Sequence, residues 1–295
     1  GSLRPPLYDL VSEKSLLAEF TAIAVDPVNT TLTVTGISVD LRQDVDLEAT
    51  GKVKIDAAGT AYIGAEINDI NIDSIAADSD VRIKVKDSDI TSAATTAVDI
   101  VGSSMILESG FGAIGSLDNK LSVDVQGGSL IVRAYQSIYV VEADGDINLA
   151  AAFSKSGDIY LESKTGSILD ALDHEFEKII ARDVDLIATT GSVGEDGKTL
   201  EISITGRLNI QAQNTINVEE VGGDILAGVI KSSAGDVTLK ANLSIFDDIN
   251  TLDANVVGNN IELTAALGWI GSPGNDLDIN STFNGAGTLT TLSGE

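Results

Sequence analysis

GSLIVRAYQSIYVVEADGDINLAAAFSKSGDIYL, residues 128 to 161, decides the fold, because the chain carries it three times. It aligns with GKVKIDAAGTAYIGAEINDINIDSIAADSDVRI from Gly51 and with GRLNIQAQNTINVEEVGGDILAGVIKSSAGDVTL from Gly206. From Gly51 to Gly128 is 77 residues, and from Gly128 to Gly206 is 78. The close of each copy repeats as well, as MILESGFGAIG from Met105, VDLIATTGSVG from Val184 and IELTAALGWIG from Ile261. Three tandem copies therefore occupy about 51–127, 128–205 and 206–283, with partial copies at both ends.

Each copy contains a shorter recurrence: LIVRAYQSIYV from Leu130, IYLESKTGSIL from Ile159, VDLIATTGSVG from Val184, then LNIQAQNTINV from Leu208. These steps predict three coils of about 26 residues per copy. In the coil from Leu130, apolar residues alternate over Leu130 to Ala134, Ser137 to Glu142 and Asp146 to Ala151, with Gly, Asp, Asn and Ser at the junctions. Period-two alternation rich in Ile, Val and Leu argues for strands, and those junction residues argue for turns. A three-sided coil of this kind cannot bury its apolar face alone and must stack on the next one. The expected fold is all-β, a right-handed parallel β-helix (solenoid) of about 11 coils spaced by ~4.8 Å.

Residues 1–29 read as an expression scar, Gly1-Ser2, followed by a segment that could cap the stack. Within it YDLVSEKSLLAEFTA, residues 8 to 22, either forms a short helix over an open strand edge or is a disordered end. Residues 30–295 read as one repeat domain, flanked by further repeats of a longer chain. No apolar run approaches the ~20 residues needed to cross a membrane as a helix, so no membrane insertion is expected.

The chain has 18 Lys plus Arg against 45 Asp plus Glu, a net charge of −27. Such a surface repels nucleic acid and anionic membranes. There is no cysteine, which removes thiolate catalysis and disulfides. The single histidine, His174, has no second histidine or cysteine to complete a zinc site and reads as a turn residue.

The tandem copies, the recurring signature at 105–115, 184–194 and 261–271, and the cysteine-free Gly/Asp turns resemble large bacterial surface proteins of the filamentous haemagglutinin type. That resemblance implies a secreted or cell-surface, extracellular location and a non-catalytic role as a rigid stalk or adhesion surface. It also implies a partner protein or glycan on a host or neighbouring cell, and carries no catalytic residue. A β-helical polysaccharide lyase or glycoside hydrolase is the alternative, and would need paired carboxylates or a metal cluster concentrated on a few coils. No copy stands out in the sequence as holding such a polar cluster.

Acidic residues recur at Asp69, Asp146 and Asp224, and at Asp80, Asp158 and Asp236. Calcium needs six to eight oxygens, and equivalent residues three coils apart cannot share an ion. A calcium site would have to be local, with Glu142, Asp144 and Asp146 the candidates; otherwise each Asp bonds a turn amide. The pairs Ile114-Gly115, Val193-Gly194 and Ile270-Gly271 read as an inward side chain followed by a glycine with positive φ. Trp269, beside inward Ile270, is expected to point outward, where it either anchors a partner or covers a turn.

Overall fold

The computed structural model describes residues 22–26, 31–35, 45–47, 51–93, 97–172, 176–282 and 285–294. The chain divides into two units, Gly1–Val45 and Asp46–Glu295. In the first, Ala22–Asp26 and Thr31–Thr35 form an antiparallel pair with Ala22 opposite Thr35 and Asp26 opposite Thr31. The helix considered over residues 8 to 22 lies outside the described residues up to position 21, and Ala22 is in a strand.

The second unit is the expected parallel β-solenoid, of about 11 turns, built on two 13-stranded sheets in which every neighbouring pair is parallel. Alternation decides which side chains go in. In Ile159–Ser163 the residues Ile159, Leu161 and Ser163 are buried while Tyr160 and Glu162 face outward. In-register stacking turns this alternation into ladders such as Ile138–Ile159–Val184–Leu208 and Val140–Leu161–Leu186–Ile210. All eight side chains are buried to 1% exposure or less. Each such Ile, Leu or Val contributes roughly 1.5–3 kcal/mol, so the ladders carry the fold.

The turns come in two sizes. From Val81 the chain runs through Val81–Val85, Ile90–Ser92 and Ile100–Gly102 before Met105 stacks on Val81, a three-sided coil of 24 residues. From Leu130 it runs through Leu130–Ala134 and Ile138–Glu142, and then Ile147–Ser154 already stacks on the first strand, with Leu149 on Leu130. The three strands expected after Leu130 all form, and the third opens the next turn.

This mixture places the copies on alternate faces. Three steps along one sheet, Val53 to Ile72, Ile75 to Ile100 and Ile100 to Val123, are followed by a crossing to Leu130 in the other sheet. A copy therefore spans three and a half turns. Its long eight-residue strand is Ile70–Ala77 in one sheet, Ile147–Ser154 in the other and Ile225–Ser232 back in the first. Each long strand contains a register shift, with Asp73 and Ala150 skipped at matching places in the first two copies. The extra residue bends the strand. Its first half then stacks on a short strand such as Ile90–Ser92 and its second half on another, Ile100–Gly102; in the third copy the described chain between Ile245–Asp247 and Val256–Val257 leaves the coil as a loop.

The Ile-Gly corners form as read. Ile114 and Val193 are fully buried and Ile270 packs against the core. Gly115, Gly194 and Gly271 have φ of 64°, 68° and 73°.

Candidate functional site

The recurrent aspartates bond backbone amides. Asp69, Asp146 and Asp224 accept hydrogen bonds from the backbone N–H groups of Asp89, Ser167 and Ser244 at 3.0, 2.7 and 2.8 Å. Asp80, Asp158 and Asp236 accept from Ser104, Asp183 and Asn260 at 3.2, 3.3 and 3.0 Å. In every case the donor is stacked one turn further on. The chain of acceptors continues, as Ser167 Oγ accepts from Ser192 N and Asp183 from Arg207 N. These residues stitch turn to turn.

A second stitch uses buried serines at strand ends. Ser109, Ser154, Ser163 and Ser232 each donate to a carbonyl one turn back (Ser88, Gln136, Gly145 and Asn214). Each also accepts from the glycine N–H three residues on. The signal was present in the sequence as Ser-x-x-Gly, which is an ordinary turn device and easily passed over.

The third feature closes the loops that leave the coil. Asp99, Lys178 and Asn255 occupy equivalent positions and are exposed by 2%, 1% and 0%. Ser92 Oγ donates to Asp99 at 2.8 Å; Lys178 Nζ lies 3.2 Å from Asp170 and 3.1 Å from Glu201; Asn255 Nδ2 donates to Asp247 at 2.6 Å. One structural task is thus done by Ser–Asp, Asp–Lys and Asp–Asn pairs. Burial pushes the carboxyls of Asp99 and Glu201 upward against the pull of their partners. Burial also pushes Asp247 upward, but bonds from Ile249 N, Asn255 and Asn250 N outweigh it and hold the group below its ordinary value. His174 lies outside the described residues.

The calcium candidates sit around one turn. Glu142 is fully buried and accepts from Val125 N at 3.1 Å and Asp144 N at 3.3 Å. Burial raises its carboxyl to about 7. Asp144 accepts from the Thr165 hydroxyl at 2.9 Å, and Asp146 from Ser167 N. Among the described residues no group of three or more Asp, Glu, His or Cys side chains converges on a point suited to a metal ion. Glu220, equivalent to Glu142, is buried in the same way and accepts from the amides of Ile204, Gly222 and Gly223.

Trp269 points outward with 62% of its surface exposed, and its backbone N–H donates to Ser244 Oγ. It borders a hollow of about 570 Å³ with Pro273, Asp276 and Leu277.

A groove of about 580 Å³ lies elsewhere, on the outer face of the sheet that carries the second copy's tyrosines. Its floor is the ladder Tyr139–Tyr160–Asp185–Asn209, four rungs in register. Leu117 and the ion pair between Arg207 Nε and Asp248, at 2.6 Å, rise beside it. Asp158, also on the lining, is held by Arg182 through two bonds of 2.8 and 2.7 Å. The Tyr160 hydroxyl donates to Glu162 at 2.6 Å; burial first, and then that carboxylate, hold the phenol above its usual range. The polar cluster that no single copy displays is assembled here from five rungs.

The fold defines the class: a parallel β-solenoid repeat protein. No family model, curated protein or solved structure matches the chain.

Proposed function

We propose that this chain is a non-catalytic structural and adhesive segment of a large secreted or cell-surface bacterial protein of the filamentous haemagglutinin type. The β-helix fold is common to adhesins and to polysaccharide lyases, so the fold alone does not choose between them. One observation supports the adhesive reading. The acidic residues that recur from copy to copy are engaged by backbone amides of the following turn, and so serve the scaffold. A catalytic pair, by contrast, needs carboxylates directed at a substrate.

The test is to coat beads with the purified chain, measure their retention on cell monolayers and glycan arrays, and incubate the same chain with plant, microbial and host polysaccharides. Retention without release of reducing ends or unsaturated products is expected. Polysaccharide turnover above the buffer blank would overturn the reading.

A further inference from the structure

We infer that the groove over Tyr139, Tyr160, Asp185 and Asn209 binds a neutral oligosaccharide, so that the junction of the second and third copies carries a recognition site within the repeat scaffold. The inference deepens the adhesive reading and rests on it for biological meaning, but the binding itself is separately testable.

The same outward ladder occurs in all three copies, and its contents differ. In the first copy it is Tyr62–Arg82–Ile106–Ile131, and in the third it begins Asn217–Thr238–Glu262. Inward positions and turn acceptors recur because the fold needs them; the residues of this outward ladder, beyond the Tyr that opens it in the first two copies, do not. Its second-copy version departs toward two aromatic rings followed by a carboxylate and an amide.

Those groups suit a polyhydroxylated chain. Tyrosine offers an apolar ring with a polar tip, which packs on the C–H faces of a sugar while its hydroxyl joins the hydrogen-bond network. Asp185 accepts from Asn209 Nδ2 at 2.8 Å, which fixes both side chains. A carboxylate has about four acceptor sites, so that one bond leaves capacity for ligand hydroxyls. Four rungs at the strand spacing extend ~14 Å, the scale of a short oligosaccharide rather than of a single sugar. The volume falls in the usual range for ligand sites.

Charge selects among glycans. Asp158, Asp183, Asp185 and Asp248 line the groove together with Arg207, while Arg182 pairs with Asp158 and Lys120 Nζ lies 4.7 Å from the Tyr160 ring centroid, so carboxylates still outnumber cations there in a chain of net charge −27. An anionic polysaccharide would be repelled, whereas a neutral one meets donors and acceptors already aligned.

The experiment is calorimetric titration of the whole chain with maltohexaose, cellohexaose and xylohexaose, with a galacturonate hexamer as the anionic control. Saturable binding of at least one neutral hexasaccharide is expected, with none of the galacturonate. Tyr139→Ala and Asn209→Ala should each weaken that binding about tenfold, the scale of one lost aromatic or hydrogen-bonded contact. Thermal unfolding checks that the variants fold; if Tyr139→Ala does not, Asn209→Ala decides. Absence of binding to all three neutral probes, or unchanged affinity in the folded variants, overturns the site. Retention on cells together with no binding of any neutral hexasaccharide overturns the site and leaves the adhesive reading standing. Binding with release of reducing ends keeps the site and overturns the non-catalytic reading.

Discussion

Lys178 Nζ lies 3.2 Å from Asp170 Oδ2, with the lysine side chain wholly buried and the aspartate 4% exposed. Glu201 stands 3.1 Å away on the other side, and the Phe176 carbonyl accepts from the same ammonium at 2.7 Å. The ammonium therefore ties together the two ends of the loop and the following turn. Lys178→Ala, which leaves two buried carboxylates without their cation, should cost roughly 3–5 kcal/mol in chemical denaturation. Lys178→Asn copies the third copy, where Asn255 meets Asp247, and should cost less than Lys178→Ala. Equal losses for the two variants would count against the equivalence of these sites.

Gly115 and Gly194 make a different test. Each has positive φ, and a Cβ built there would approach the carbonyl oxygens of Tyr139 and Asn217 on the next turn. Alanine at either position meets the left-handed cost of about 1–2 kcal/mol and a backbone clash as well. At Gly127, with φ of 83° and open space around it, alanine meets only the first. Urea midpoints should fall further for Gly115→Ala and Gly194→Ala than for Gly127→Ala.

The stitching aspartates predict a conservative series. Asp146→Ala should lose about 1 kcal/mol as Ser167 N loses its acceptor. Asp146→Asn keeps an oxygen in place and should stay nearer the wild type. Hydrogen exchange at the Ser167 amide reads the change locally.

Stability should depend on pH through Glu142. Its carboxyl is raised to about 7 from an ordinary 4.5, so folding favours the protonated form. The contribution is complete below pH ~4.5 and is lost as the pH rises through 7; at one unit per 1.36 kcal/mol it amounts to about 3 kcal/mol. Glu220, Asp99 and Glu201 are raised and act in the same sense, whereas Asp247 is lowered and acts in the opposite one. Glu142→Gln should flatten the fall in unfolding free energy between pH 4.5 and 7. An unchanged slope would show that Glu142 does not titrate in this window.

Particular residues explain what the sequence did and did not disclose. Ile159, Leu161 and their ladder neighbours were legible because period-two alternation is imposed by strand geometry itself. Ile114-Gly115 was legible because a buried branched residue followed by a left-handed turn leaves few alternatives to glycine. The alternation of copies between sheets was not, since Leu130 and Leu208 obey the same inward rule in either sheet. The turn lengths depend on the skipped Asp73 and Ala150 and on how far each loop departs, which alternation does not encode. Asp99, Lys178 and Asn255 were hidden because they share a place but no side-chain chemistry. The groove was hidden because Tyr139, Tyr160, Asp185 and Asn209 lie 21 to 25 residues apart and meet only when the turns stack.

We propose that protein atoms alone close the described rungs: apolar ladders inside, and Asp, Ser and Asn acceptors at the turns. Thermal unfolding in millimolar calcium, in equal magnesium and in chelator tests it most directly. The account predicts the same midpoint in calcium as in magnesium, and no loss in chelator beyond that of ionic strength. A calcium-specific rise of several degrees, abolished by Asp144→Asn or Asp146→Asn, would contradict it and make those carboxylates ion ligands.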